Sequence, residues 1–352
     1  MKAWRVHRNG EPRDVMRLEE TPEPEPGAGQ LLVRVRAAAV NFPDALLCRG
    51  EYQVRPDFPF TPGVELCGEV LAVGEGAENG EGTEDTADST DSTDSAGTEG
   101  TGEVPAVGSR VLAQPALPWG GFGEQTLVAA ENARPAPEAL DDAEAAALHI
   151  GYQTGWFALH RRARIQPGET LLVHAAAGGV GSAAVQLGKA AGARVIGVVG
   201  GPAKAETARG LGCDVVVDRR SDDIVAAVKE ATGGRGADVV YDPVGGDAYT
   251  KSVKCIAFEG RIVVVGFASG AVPTPGLNHA LIKNYSILGL HWGLYNTRDP
   301  EAVRACHREL TDLAAKGAVK PLVSERVGLD GAAEAVQRVF DGITTGRVVV
   351  EP

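Results

Sequence analysis

Thr170-Leu171-Leu172-Val173-His174, then Ala175-Ala176-Ala177-Gly178-Gly179-Val180-Gly181, and then Arg194-Val195-Ile196-Gly197-Val198-Val199 make up the stretch whose reading decides the fold. The first run is a strand and the second a glycine-rich turn. Ala183, Ala184, Leu187 and Ala190 then recur at helical spacing before the last run, a second strand. A strand, a turn of small residues and a helix together cradle a dinucleotide pyrophosphate. Small residues let the backbone approach the phosphates, and the free N–H groups of the helix N-terminus meet their charge. Ala176 stands where the first glycine of a G-x-G-x-x-G pattern would be, so the flanking strands carry the reading as much as the glycines do. Ala176, Gly178, Gly179, Val180 and Gly181 are the expected pyrophosphate contacts.

The residues after the second strand choose the coenzyme. An NAD-binding unit usually places Asp or Glu there, on the ribose 2′-hydroxyl. Here the chain continues Val199-Gly200-Gly201-Pro202-Ala203-Lys204, with no carboxylate to repel a 2′-phosphate and Lys204 positioned to attract one. Arg219 or Arg220, after the short strand Val215–Val217, adds a second cation. The expected coenzyme is NADPH, with Gly200, Lys204 and Arg219 at its 2′-phosphate end.

The chain has 352 residues, enough for about two domains. An apolar fraction of 43% with only 5% aromatics fits an Ala/Gly/Val-rich α/β protein. The N-terminus has no apolar leader and no run approaches a membrane span, which points to the cytoplasm. Five cysteines without a C-x-x-C pair suit free thiols in a reducing compartment. The net charge of −13 is misleading. Ten carboxylates and no Lys or Arg lie between Glu75 and Glu103, which leaves the rest of the chain at only −3. That segment has repeated Asp-Ser-Thr units and no large apolar side chain, so residues 75–104 are expected to be a disordered acidic insertion. No basic stripe offsets the acidity, so nucleic acid is not an expected partner.

Residues 1–75 read as short strands and turns, with strands over Leu31–Val40 and Gly68–Gly74. The hairpin broken by the insertion resumes at Val107–Ala113, and Glu124–Ala129 adds a strand, so a distorted β-rich barrel is expected. A helix from Glu144 to His160 leads into alternating strands and helices. The later strands are Ala237–Asp242, Arg261–Gly266 and Ser286–Leu290, which implies a doubly wound parallel sheet with ligands at its carboxyl ends. The tail, a helix from Pro300 to Lys316 and a strand from Arg347 to Val350, is expected to return to the β-rich part.

Several further motifs, Val40-Asn41-Phe42-Pro43-Asp44, Gly50-Glu51-Tyr52, Pro59-Phe60-Thr61-Pro62-Gly63-Val64-Glu65 and Tyr241-Asp242-Pro243-Val244-Gly245-Gly246, join the glycine loop in one resemblance. Over nearly all of its length outside the insertion, the chain resembles the zinc-independent, zeta-crystallin-like quinone oxidoreductase branch of the medium-chain dehydrogenase/reductase superfamily. The resemblance implies an α/β fold with two parts. A GroES-like β-rich catalytic domain spans 1–147 and 292–352, and a Rossmann NADPH-binding domain spans 148–291. It also implies a homodimer joined along the nucleotide-sheet edge, with Ser286–Leu290 as a candidate contact.

Zinc-dependent members of that superfamily place Cys and His ligands where Asn41 and Val64 stand, and neither residue suits zinc. No metal is therefore expected. Without a Lewis acid, alcohol oxidation is unattractive, whereas hydride delivery to an electron-poor acceptor needs only a hydrogen-bond donor for the charge that develops on oxygen. The resemblance implies reduction of a small apolar quinone or α,β-unsaturated carbonyl, with Tyr52 as donor and Asn41 and Asp44 in the active-site segment. Asp44 could equally cap a helix starting near Ala45, and Tyr52 could simply pack on a turn. Thr154, Gly245 and Gly266 are expected on the nicotinamide side, His174 as a packed histidine, and Trp119, Phe122, Trp292 and Phe42 either in an apolar cleft or in the core. The alternatives are an enoyl-thioester reductase, for which no clear Arg/Lys cluster appears, and an NADPH-binding protein without turnover.

Overall fold

The computed structural model of the chain describes residues 1–76 and 104–352, so the acidic insertion expected over 75–104 lies almost wholly outside the described residues. In chain order the first part holds β1 (Lys2–Val6), α1 (Pro12–Val15), β2 (Met16–Glu20), β3 (Gln30–Ala39), α2 (Phe42–Arg49), β4 (Leu66–Val73), β5 (Arg110–Ala113), β6 (Gln125–Ala129) and β7 (Arg134–Pro135). β3 is the hub. It pairs antiparallel with β4 along most of its length and with β6 over Gln30–Arg34. Its register against β4 shifts twice, and such bulges increase twist and bend a strand. β4 and β5 pair antiparallel, so they form the hairpin that the insertion interrupts.

Two local expectations for this part need correction. The segment is not all strand and turn, because α2 occupies Phe42–Arg49 and begins before Ala45. Pro43 in the first turn, where its missing N–H costs nothing, starts it early, and Gly50 in the left-handed region ends it. The resumed strand is shorter than Val107–Ala113, since Val107 and Gly108 form a turn with Gly108 at φ +85°.

α3 (Asp142–Trp156) follows. Its start is fixed by a reciprocal cap, in which Glu144 N–H donates to Asp141 at 2.9 Å and Asp141 N–H donates to Glu144 at 3.3 Å. The helix does not run regularly to His160 as expected. From Phe157 to Arg162 it widens into a π-helical turn, where the Ala163 N–H reaches back five residues to Ala158. The wider turn seats Phe157 against Tyr295, with ring centroids 4.2 Å apart.

The nucleotide half alternates β8 (Thr170–His174), α4 (Gly179–Ala190), β9 (Arg194–Val199), α5 (Pro202–Gly210), β10 (Val215–Asp218), α6 (Ile224–Ala231), β11 (Ala237–Asp242), α7 (Gly246–Cys255), β12 (Ile256–Val264), α8 (Leu277–Lys283) and β13 (Ser286–Gly289). The six strands form one parallel sheet in the order β10-β9-β8-β11-β12-β13. The direction of winding reverses between β8 and β11, and the crevice at their carboxyl ends is where such sheets bind ligands. All five residues of β8 are buried, as a central strand covered on both faces requires. Burial of each large apolar side chain there contributes roughly 1.5–3 kcal/mol.

α9 (Tyr295–Arg298), α10 (Pro300–Ala315), β14 (Val323–Gly328), α11 (Ala332–Phe340) and β15 (Arg347–Glu351) complete the chain. β15 lies antiparallel to β3, so the strand of the tail returns to the first sheet, whereas its helix α10 packs in the core with α3 and not on the β-rich part. One apolar core runs through α3, α4 and α10 and takes in Ala37, Cys67 and Leu112 from the first sheet. The five cysteines are free thiols. No helix among the described residues is long and apolar enough to cross a membrane.

Candidate functional site

The glycine turn sits at the carboxyl end of β8, with Gly178 as the N-cap of α4. A Cβ on Gly181 would stand 2.0 Å from the Ala175 carbonyl oxygen, so no larger residue fits there. Ala176 replaces the usual first glycine without a clash because its neighbour across the sheet is Gly197. A Cβ at Gly197 would fall 2.9 Å from that of Ala176. Val180 is half-buried against the core, and Gly179 faces a charged group described below.

Three cations converge at the carboxyl ends of β9 and β10. A Cβ on Gly200 would stand 3.1 Å from Arg219 Nε, and one on Gly201 3.0 Å from Arg220 Nη1. Lys204, in the first turn of α5, donates from Nζ to the Gly342 carbonyl at 2.8 Å. Burial, and then the charges of Arg219 and Arg220, draw the Lys204 amine below its ordinary value. Sequence reasoning left Arg219 and Arg220 as alternatives, and the fold brings both to the same turn. It missed Asp218, which accepts from Gly201 N–H at 2.9 Å and Arg220 N–H at 3.0 Å and so shapes that turn.

The active-site segment is built on a buried polar network. Asn41, just ahead of α2, donates from Nδ2 to the Ala39 carbonyl at 3.0 Å and to Glu65 Oε1 at 2.7 Å, and it accepts from Arg347 Nη1 at 3.0 Å. Arg347 Nη2 also bonds Glu65 Oε1, and the two side chains are only 4% and 0% exposed. Burial draws the guanidinium down to about 10, so it remains cationic at neutral pH. It lies against the N-terminus of α4, where a Cβ on Gly179 would stand 2.8 Å from Nη1. Nearby, Gly346 N–H donates to the Ala177 carbonyl at 2.7 Å, so the start of β15 is sewn onto the nucleotide loop.

Asp44 resolves toward its structural role. Oδ2 accepts from Asn41 N–H at 2.7 Å, while Oδ1 accepts from Gly63 N–H at 2.9 Å and Val64 N–H at 3.1 Å. Both oxygens are thus committed to backbone, which pins the Gly63–Val64 turn to α2. Burial lifts this carboxyl to about 7 against the pull of the three N–H groups and the charge of Arg347. Tyr52 is half-buried. Burial, and secondarily the charge of Asp44, raise its phenol above the ordinary value, so it is a neutral donor at pH 7.

Thr154 lies in α3, 8% exposed, one turn beyond Ile150, whose N–H donates to Glu65 Oε2 at 2.6 Å. Gly245 and Gly266 follow the adjacent strands β11 and β12, and Gly266 N–H reaches the Asp242 carbonyl at 3.4 Å. His174 is buried and pairs through Nε2 with Ser252 Oγ at 2.8 Å, which fits a packed histidine. The four aromatics do not form one cleft. Phe122 is wholly buried, Phe42 stacks on Phe340 at 5.3 Å, Trp292 donates to Gln153 at 3.2 Å, and Trp119 lies under Arg5. Glu65 and Arg347 were missed as functional residues. The visible signals were Glu65 closing the Pro59–Glu65 motif and a charged residue opening the apolar run Arg347–Val350, but the two are remote in sequence.

Residues 27–138 match the alcohol dehydrogenase GroES-like domain family and residues 179–308 the zinc-binding dehydrogenase family. The quinone oxidoreductase-like protein 2 homolog of Nematostella vectensis is 35% identical over 92% of this chain and 82% of its own length. The chain belongs to the quinone oxidoreductase branch of the medium-chain dehydrogenase/reductase superfamily. A crystal structure of Escherichia coli quinone oxidoreductase complexed with NADPH matches this branch member with a TM-score of 0.86 and 30% identity, covering all of both chains. The phthioceranic/hydroxyphthioceranic acid synthase of Mycobacterium tuberculosis is 32% identical over 92% of this chain, which spans 14% of that protein. The matched family is named for zinc, yet the residues of this quinone oxidoreductase relative do not fit the metal. Asn41 and Val64 stand where the resemblance places the ligands of zinc-dependent members, and Asn41 is bonded to a buried guanidinium, a cation that would repel a dication. Among the described residues no three His, Cys, Asp or Glu side chains group as metal ligands.

Proposed function

We propose that the chain is a metal-free, NADPH-dependent reductase of small apolar quinones or α,β-unsaturated carbonyls. The observation that carries this reading is the convergence of Lys204, Arg219 and Arg220 beyond a nucleotide loop with no competing acid at the end of β9. The residues present suit NADPH. The three cations would hold the 2′-phosphate, and the Gly178–Gly181 backbone would hold the pyrophosphate. Thr154, Gly245 and Gly266 would flank the nicotinamide.

When bound, NADPH supplies a hydride equivalent from its nicotinamide ring. The chain's own share is to orient the acceptor, exclude water and meet the charge that develops on the acceptor oxygen. Tyr52, a neutral phenol, donates to that oxygen, and an oxyanion met by a preorganised donor forms at lower cost than one in water. Asn41 and Asp44 act behind it by fixing α2 and the Gly63–Val64 turn. An enoyl-thioester acceptor is the second reading, and crotonyl-CoA in the assay below separates it from the first. The reading also includes a homodimer. β13 borders the sheet, and beside it Phe258, Leu277, Leu281 and Ile282 are each more than 70% exposed, an apolar patch that a second copy would cover.

The test is NADPH oxidation with a benzoquinone, an alkyl vinyl ketone and crotonyl-CoA, with EDTA present and Tyr52→Phe run beside the wild type. Chelator-resistant turnover, reduced about 10²-fold or more in Tyr52→Phe, supports the reading. NADPH binding without turnover of any acceptor overturns it. Sedimentation at micromolar concentration tests the dimer, and a monomer would contradict it.

A further inference from the structure

We propose that Glu65 is a positioning residue for hydride transfer, a single buried carboxylate that sets the two halves of the site in register. The inference rests on the reductase reading above. Glu65 touches neither acceptor nor coenzyme in that reading, but it joins three parts that do the work. Oε1 accepts from Asn41 Nδ2 at 2.7 Å and from Arg347 Nη2. Oε2 accepts from Ile150 N–H at 2.6 Å. Asn41 leads into α2, which carries the active-site segment. Arg347 is slotted between two glycines, since a Cβ on Gly179 would fall 2.8 Å, and one on Gly151 3.9 Å, from its Nη1. Ile150 belongs to α3, and Thr154 stands four residues on, on the same helix face.

The chemistry requires a carboxylate. Every group pointing at Glu65 is a donor: an amide N–H, a guanidinium and a backbone N–H. A carboxylate answers all three because both of its oxygens accept. A glutamine has the same shape but turns an NH₂ toward one side, where it meets either the Ile150 N–H or the Asn41 and Arg347 donors. The mismatch shifts α3 against α2 and Arg347. Displacement of reacting groups by about 1 Å can cost 10²-fold in rate even when binding is kept.

The test compares Glu65→Gln and Glu65→Asp with the wild type. NADPH binding is followed by fluorescence, and kcat and KM for the best acceptor are measured at saturating NADPH. The expected result for Glu65→Gln is a fall in kcat of about 30-fold or more, with the acceptor KM within about threefold. The isotope effect on kcat with C4-deuterated NADPH should rise as hydride transfer becomes limiting, and the Ile150 amide should exchange faster. Glu65→Asp, which keeps the charge with a shorter reach, should recover part of the rate. If Glu65→Gln does not fold, Glu65→Asp is the variant read, with kcat expected to fall about tenfold and the acceptor KM to stay within about threefold of wild type. A kcat within about twofold of its reference in the variant read overturns the proposal, as does a rise in KM with kcat unchanged. A wild type that fails to oxidise NADPH with any acceptor removes the reductase reading and this proposal with it. An active wild type with an indifferent Glu65 variant overturns the proposal alone.

Discussion

Removing Arg347 should destabilise the chain in a way that depends on pH, because its bonded partner Glu65 and the nearby Asp44 are buried carboxyls that can take up protons. Glu65 and Arg347 are 0% and 4% exposed, so Arg347→Met leaves the Glu65 carboxylate in a dry site with Asp44 close by. Breaking a buried pair this way typically costs about 3–5 kcal/mol. The cost has a ceiling, since Glu65 can bind a proton instead of staying charged. From an unfolded value near 4.3, holding it protonated at pH 7 costs about 3.7 kcal/mol, and at pH 5 about 1 kcal/mol. In the variant the folded carboxyl titrates above its unfolded value. The protonated fold is therefore at its most stable below pH 4.3, and stability is lost as pH rises toward 7. Asp44, lifted by burial to about 7, shifts in the same direction when the cation is removed. Urea unfolding of wild type and Arg347→Met at pH 5 and pH 7 measures this. The expected deficit of the variant is about 3–4 kcal/mol at pH 7 and about 1 kcal/mol at pH 5. A deficit equal at both pH values, or below about 1 kcal/mol at pH 7, would show that the pair is screened by solvent and not buried.

Asp44→Asn places an NH₂ against backbone N–H donors and should cost about 2 kcal/mol in urea unfolding; a neutral result would contradict the three-bond anchor. Gly181→Ala should abolish coenzyme binding or folding, because its methyl would overlap the Ala175 carbonyl, and unaltered NADPH fluorescence quenching would refute that. Burial holds His149 down at about 3 and His307 at about 4. Their contribution is fully present above pH 6.5 and lost as pH falls toward those values, because the unfolded imidazoles take up protons the folded ones refuse. His149→Leu should therefore flatten the acid limb of the stability curve by up to about 3 kcal/mol between pH 6.5 and 4; an unchanged limb would place the acid sensitivity elsewhere.

Local patterns carried much of the fold in readable form. Thr170–His174 and Arg194–Val199 are strands over the residues their apolar runs mark, because a central parallel strand has no polar face to blur its edges. The nucleotide loop was legible even with Ala176 in a glycine position, and the compensation, Gly197, became visible only once β9 lay beside β8. Helix α2 was partly hidden because Asn41 to Asp44 forms a helix start within a strand-rich region. The π-helical turn after Trp156 was not readable, and Tyr295, against which it seats Phe157, lies far along the chain. Asn41, Asp44 and Tyr52 could be chosen by motif, but the distinction between them required coordinates. Asp44 spends both oxygens on backbone, while Tyr52 keeps a half-buried phenol. Glu65 and Arg347 escaped notice for a physical reason. A buried charge is meaningful only with its partner, and these partners are 282 residues apart.

The most direct measurement is the affinity of NADPH against NADH for the wild type and for a Lys204→Ala/Arg219→Ala/Arg220→Ala variant, by coenzyme fluorescence at fixed ionic strength. Charge-assisted contacts from these three side chains to a 2′-phosphate should give the wild type a preference for NADPH of at least about 100-fold. In the variant that preference should collapse to within about threefold, with NADH affinity little changed. Equal affinity for the two coenzymes in the wild type, or an unaltered preference in the variant, would contradict the account.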